Sequence, residues 1–137
     1  MIARSLAVNQ PDPADGLDVL TKVGGFEIGA MAGAMLAAAA ARVPVVVDGL
    51  IATSAALIAA ALAPDARGYM ISGHRSTEPG HNAALACLGL IPVIDLNLRL
   101  GEGTGAVLAF HIIDAAARIL GQMATFAEAG VSEKDEA

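Results

Sequence analysis

At 137 residues and 13.7 kDa the chain fits one domain with one hydrophobic core, since a domain usually takes roughly 100–200 residues. Hydrophobic residues make up 55% and charged residues 16%, with a mean hydropathy of +0.62, which excludes disorder over most of the length. Eight Lys+Arg against fourteen Asp+Glu leave a net charge of −6 and an isoelectric point near 4.8, the wrong sign for a protein that coats a nucleic-acid backbone. A local anion site stays open.

Cys87 is the single cysteine, which excludes an internal disulfide framework, and no Cys/His spacing suits a structural zinc. The start, Met1 to Leu6, lacks a basic segment followed by a sustained apolar one, so we expect no secretory signal and a cytoplasmic protein. The apolar runs Ile28–Ala41 and Gly49–Pro64 fall short of the roughly 18–20 residues that cross a bilayer, and are expected to be buried helices without a membrane span. Gly29 and Gly33, four apart, read as a small-residue face that lets a helix lie close on a sheet rather than as a membrane dimer motif.

In chain order, residues 1–16 carry Pro11, Pro13 and Gly16 among acids, the chemistry of a linker or lead-in. A short helix is predicted over Leu17–Val23, a break at Gly24-Gly25, and a long helix over Phe26–Ala41, rich in Ala, Met and Leu, with Arg42 complementing its last turn. Val43–Val47 is a β-branched strand with Pro44 near its start, and Asp48-Gly49 turns the chain into a helix over Leu50–Leu62 that ends at Pro64. A strand over Gly68–Ser72, a polar loop over Gly73–Gly80 and a helix over His81–Leu88 follow. Pro92–Leu98 is the third strand, and the glycines of 101–105 open a helix to about Met123. The charged tail, Val131–Ala137, is expected to fray.

Strand, loop and helix recurring in one order predict an α/β fold: a three-layer parallel sheet with helices on both faces. Ala and Gly supply 46 of the 137 residues, which suits closely approaching layers. A sheet of three strands has two exposed edges and thinly covered faces, so partner contacts or further chain are expected to cover it.

Ligands of open parallel sheets bind at the carboxyl ends of the strands, which directs attention to the loops after them. Arg99-Leu100-Gly101-Glu102-Gly103-Thr104-Gly105 joins a strand to a helix, and its alternating glycines let backbone N–H groups and a helix start face an anion. It is neither a Walker loop nor a dinucleotide fingerprint. Glu102, a carboxylate among anion donors, reads as a general base facing a proton donor, or as an acid placed favourably at the helix N-terminus. In the segment His74 to His81, Ser76, Thr77 and Arg75 suit an anion, while the plain alternative is a solvated loop with a Ser/Thr helix cap. His74, Glu78 and His81 lack the spacing of a metal site. Gly24-Gly25 alone says little. Cys87, His111, Met31, Met35 and Met123 read as packed residues.

Val23-Gly24-Gly25-Phe26-Glu27-Ile28, Val46-Val47-Asp48-Gly49, the loop ending Glu78-Pro79-Gly80-His81, and Arg99 to Ala106 together resemble the nicotinate-nucleotide:dimethylbenzimidazole phosphoribosyltransferase family. The motifs stand in the family's order from about Pro13 to Val131, and Met123 to Val131 resembles its C-terminal segment. The family chain is more than twice as long, so the resemblance is to its C-terminal portion; the family's Gly-Ile-Gly-Asn-Thr-Thr phosphate loop has no counterpart here. The resemblance implies a Rossmann-like α/β domain, here over 17–130, whose last helix joins a small helical domain, flanked by the lead-in 1–16 and the tail 131–137. It implies transfer of phosphoribose from nicotinate mononucleotide to a benzimidazole in cobalamin lower-ligand assembly, with no metal or cofactor and with a homodimer as the working form. It places Glu102 as catalytic base, Gly24, Gly25 and Ser76 near the donor's phosphate and ribose, Leu100 as an apolar contact to the bases, and Gly101 and Gly103 among the substrate-binding residues. The rival readings are a non-catalytic anion-binding or dimerisation module and, disfavoured by the absent fingerprint, a nicotinamide-dinucleotide domain.

Overall fold

Ile2–Asn9, a stretch free of Gly and Pro, winds into about two turns of helix, α1, that buries none of its side chains in the computed structural model, which describes residues 1–131. The linker chemistry expected over 1–16 is thus confined to Gln10–Asp15, where Gln10 takes left-handed backbone and the prolines stand. Asp15 then accepts the N–H groups of Leu17 and Asp18 and caps α2 (Gly16–Val23). The tail expected over 131–137 lies, Val131 apart, outside the described residues.

Gly24 ends α2 and Gly25 precedes α3 (Phe26–Ala40). Arg42, expected to complement the last turn of α3, lies beyond the helix with left-handed backbone at φ 59°. The strand expected from Val43 begins at Val45: β1 spans Val45–Val47, and Pro44, without an N–H, stays outside the ladder. α4 (Leu50–Leu62) has the expected limits. Pro64 starts a 3₁₀ turn over Pro64–Tyr69, which delays β2 to Met70–Ser72. After it come β3 (His74–Ser76), α5 (His81–Leu88), β4 (Ile94–Leu98) and α6 (Thr104–Gln122).

The strands are parallel, as the alternation of helix and strand requires. Val45–Val47 lies opposite Met70–Ser72, and β3 pairs with β4, His74 opposite Ile94 and Ser76 opposite Leu98. Gly73 joins the two ladders. Its N–H donates to the Val47 carbonyl at 2.7 Å and its own carbonyl accepts the Ile94 N–H at 3.1 Å, so the run Met70–Ser76 passes from β1 to β4 at that residue. The polar loop expected from Gly73 therefore begins as a strand. Period-two burial was present in the sequence, but its inward positions are the polar residues Ser72, His74 and Ser76, which hides the pattern.

The core lies where α3 and α4 pack on each other and on β1 and β2. Ala32 and Met35 of α3 meet Ala55, Ala56, Ile58 and Ala59 of α4, with Val47, Met70 and Leu88 beneath. Alanine at this seam lets helix backbones approach closely, and spacing of three and four brings these residues onto one face. Elsewhere burial is thin. Cys87, His111 and Met123, expected to be packed, are exposed. α6 buries only Gly105, Ala106 and Ala109 and leaves Val107, Phe110, Ile119 and Leu120 facing outward. The two apolar runs weighed as spans form helices of 15 and 13 residues. Among the described residues, α6 is the helix whose 19 residues are long and apolar enough to cross a bilayer by length and composition; an Asp114–Arg118 ion pair sits on it.

A Cβ added at Gly73 would stand 2.8 Å from the Ala106 Cα and 3.2 Å from a Val46 methyl, so strand and helix must separate to admit it. Gly73→Ala is expected to cost about 1–3 kcal/mol, the range for overpacking. An unchanged urea midpoint would show that the two ladders do not depend on this close approach.

Candidate active site

Three strand ends converge on one cleft. Asp48 and Gly49 follow β1, Ser76 closes β3 with Glu78 just beyond, and Arg99–Gly103 leads from β4 to α6; together with Met31, His74 and the first turn of α4 they line about 580 Å³. This is the carboxyl edge of the parallel strands, where such folds bind ligands. A second hollow of about 600 Å³ runs along α1 between Met1 and Asn9 and holds neither carboxylate nor imidazole.

Five of the seven residues singled out in the sequence meet here: Ser76, Leu100, Gly101, Glu102 and Gly103. Gly24 and Gly25 do not line the cleft. They form the joint between α2 and α3, where the Gly24 N–H closes on the Leu20 carbonyl at 3.0 Å and the Glu27 carboxylate folds back over Gly25. Sequence reasoning passed over Arg99 and Met31 as cleft residues and treated Asp48 only as part of a turn.

Glu102 stands on strained backbone. Gly101, Glu102 and Gly103 have φ of 79°, 57° and 72°, three successive left-handed residues, which glycine accepts readily and glutamate at a cost of roughly 1–2 kcal/mol. The turn lifts the Glu102 side chain to the exposed mouth of the cleft. Gly103, the residue before α6, offers no side-chain cap, and the Ala106 N–H in the first turn of that helix is taken by Asp48 and not by Glu102. α4 starts from Gly49 without a side-chain cap. The start of α4 therefore reaches the cleft with N–H groups unclaimed by a side chain and with the partial positive charge of a helix N-terminus, while the Asp48 carboxylate offsets that of α6.

Asp48 joins these parts. Its Oδ1 accepts the Ala106 N–H at 2.8 Å and lies 3.7 Å from His74 Nε2. The His74 ring is buried against the α6 backbone: a Cβ on Gly105 would fall 1.9 Å from its Cδ2. His74 Nδ1 and Ser72 Oγ have no partner among the described residues. Ser76 is buried, and its Oγ accepts the Glu78 N–H at 3.2 Å. Arg75, expected to reach an anion, points elsewhere, pairing with Asp95 at 2.9 Å and with Asn82. Thr77 is exposed and outside the cleft lining, and α5 starts from Gly80 with no Ser/Thr cap. His81 is wholly buried; burial first, then the neighbouring His74, holds its pKa below the ordinary 6.5. Among the described residues no cluster of His, Cys, Asp and Glu is arranged to hold a metal.

Comparison with known proteins places the chain among relatives of one kind. Residues 1–131 match a family model described as phosphoribosyltransferase. The chain is 64% identical, over all of its length, to nicotinate-nucleotide–dimethylbenzimidazole phosphoribosyltransferase of Chloroflexus aggregans, of which it covers 39%. It is 66% identical over 98% of its length to the protein of the same name from Chloroflexus aurantiacus, covering 38% of it. Among solved structures, the nicotinate-nucleotide–dimethylbenzimidazole phosphoribosyltransferase of Thermus thermophilus superposes with a TM-score of 0.90 at 50% identity, over 97% of this chain and 40% of that one. The chain thus spans about two fifths of the length of these relatives, their C-terminal part.

Two outcomes follow from this geometry. Asp48→Ala removes the acceptor of the Ala106 N–H, a charged hydrogen bond worth about 1.5–3 kcal/mol; faster hydrogen exchange at Ala106 is expected, and unchanged protection would mean that the bond does not hold α6. On acidification, stability is flat above pH 6.5 and falls below it, because the unfolded chain protonates His81 at its ordinary 6.5 while the folded chain resists. A melting temperature constant between pH 7.5 and 5.5 would contradict the buried, neutral ring.

Proposed function

This chain belongs to the nicotinate-nucleotide–dimethylbenzimidazole phosphoribosyltransferase family, and from that membership we propose that its cleft is the part of the active site that carries the base for phosphoribosyl transfer. The donor is nicotinate mononucleotide, the acceptor 5,6-dimethylbenzimidazole, and the products are α-ribazole 5′-phosphate and nicotinate, on the route to the lower ligand of cobalamin. The single observation that carries the reading is Glu102: a carboxylate lifted by strained backbone over a cleft bounded by the uncapped start of α4.

The chemistry asks for that combination. The glycosidic nitrogen of the donor belongs to a pyridinium ring, so the bond from ribose C1′ breaks with its electron pair passing to that nitrogen, and nicotinate leaves as a neutral ring. The azole nitrogen forms the new bond to C1′, and the azole's other ring nitrogen gives its proton to the Glu102 carboxylate. The start of α4, with Ser76, Gly101 and Gly103, holds the anionic sugar phosphate, while Leu100 supplies apolar contact to the bases. Gly24 and Gly25, at the α2–α3 joint and outside the cleft lining, take no part in this scheme. No metal or cofactor enters these steps.

The chain covers 39% of its Chloroflexus aggregans relative; it carries part of the site in this scheme, and the working form we propose is a cytoplasmic homodimer. The exposed apolar residues of α1 and α6, Ile2, Val8, Phe110 and Leu120 among them, support burial against more polypeptide. In this scheme residues 17–130 contribute to the α/β domain, with α6 leading toward a small helical domain. A second reading, an anion-binding or dimerisation module without catalysis, draws on the uncapped start of α4 and the exposed apolar residues of α6.

The chain is mixed with both substrates, with and without the N-terminal part of a relative in trans, and free nicotinate is followed. Release with the complementing part is expected, lowered about 10²–10⁴-fold by Glu102→Gln, the usual contribution of a general base. No release in either mixture would favour the binding module, and a near-wild-type rate for the variant would remove Glu102 from the chemistry.

A further inference from the structure

His81 lies outside the cleft lining, yet its ring is the centre of a buried relay between two of the cleft's walls. Ser76 N–H donates to His81 Nδ1 at 2.9 Å. On the other side His81 Nε2 is 3.0 Å from Thr53 Oγ1, whose hydroxyl donates to the Gly49 carbonyl at 2.8 Å. Both His81 and Thr53 are fully buried, so solvent cannot take over the two bonds to the imidazole ring.

The donors and acceptors decide the tautomer. A backbone N–H can only donate, so Nδ1 must present its lone pair to Ser76. The Thr53 hydroxyl has one proton and gives it to Gly49, so Nε2 must carry the ring's proton and donate to Thr53. The chain runs Ser76 N–H to Nδ1, Nε2–H to Oγ1, and O–H to the Gly49 carbonyl, every bond directed the same way. Its ends belong to opposite walls: Ser76 at the end of β3, Gly49 at the uncapped start of α4. The walls are close, since a Cβ on Gly49 would come within 3.8 Å of the Ser76 Cβ.

We propose that His81, neutral and protonated on Nε2, is a positioning residue that sets the spacing between Ser76 and the start of α4, and thereby the width of the anion-binding end of the cleft. Its functional sense rests on reading that cleft as the phosphoribosyl-transfer site. Protonating the ring would put an N–H on Nδ1 against the Ser76 N–H, two donors facing each other, and one of them must leave. The charged and titratable neighbours are His74 and Arg75 on β3, which oppose a positive ring, and Asp48 after β1, which favours it; the ring centroids of His74 and His81 are 6.2 Å apart. From α4 the facing group is Thr53, which does not titrate.

Nitrogen-15 spectra of the labelled chain test this directly. At pH 7 the expected signature is an unprotonated Nδ1 and a protonated Nε2 for His81, with the Ser76 amide shifting as acid protonates the ring. His81→Asn keeps an acceptor near Nδ1, and His81→Gln keeps a donor near Nε2. The first is expected to preserve the Ser76 amide shift while moving Thr53 and Gly49, and the second to do the reverse. Each should weaken binding of nicotinate mononucleotide roughly tenfold, the worth of one buried neutral hydrogen bond. A proton on Nδ1 at pH 7, or amides of Ser76 and Gly49 indifferent to both variants, overturns the proposal. Failure of the unmutated chain, assembled with the N-terminal part of a relative, to bind nicotinate mononucleotide would overturn instead the reading of the cleft, while the spectra still decide the role of His81.

Discussion

The bond from Asp48 Oδ1 to the Ala106 N–H ties together residues 58 apart and fixes where the last helix begins. It fastens the turn after β1 to the first turn of α6. The Arg99–Gly103 loop is thereby held over the ends of β1 and β3. The approach is possible because Gly73 and Gly105 carry no Cβ: one would strike the α6 backbone and the other the His74 ring. A charged acceptor at a helix start is favoured by the helix dipole, so the tie also offsets part of the field that α6 directs at the cleft. The start of α4, with no side-chain cap, keeps its field.

Much of the site's polar chemistry is used to shape it. His74 and His81 are buried, Ser76 gives its N–H to one of them, and Arg75 is engaged by Asp95 and Asn82. What remains free to act on a ligand is narrower: the start of α4, the Ser76 hydroxyl, Arg99, and Glu102 on its left-handed turn. A carboxylate whose backbone is strained, and which makes no capping bond, has the freedom that a proton acceptor needs.

The helices over Leu50–Leu62 and His81–Leu88 were legible because apolar runs end there at Pro or Gly, that over Phe26–Ala40 because an Ala-rich run lies between Gly25 and Arg42, and the Gly-Glu-Gly loop because glycines alternate around one acid. β3 was not, since the residues it buries are polar and periodicity in hydrophobicity is then silent. α1 was hidden by the prolines that follow it. The Asp48 tie and the diversion of Arg75 to Asp95 depend on partners 58 and 20 residues away, distances at which no local pattern speaks. The exposed apolar face of α6 also follows from the packing alone: its sequence reads as a core helix, and in this chain three of its residues are covered. The expectation that further polypeptide covers thin faces is consistent with a chain that spans 39% of its relative.

The central claim is that Glu102 meets the incoming azole. A crystal structure of the chain assembled with the N-terminal part of a relative, and holding both dimethylbenzimidazole and nicotinate mononucleotide, tests it most directly. The account predicts a Glu102 carboxylate oxygen within about 2.6–3.2 Å of the azole nitrogen that bears the proton. An azole bound in the cleft with Glu102 turned to bulk solvent would contradict it.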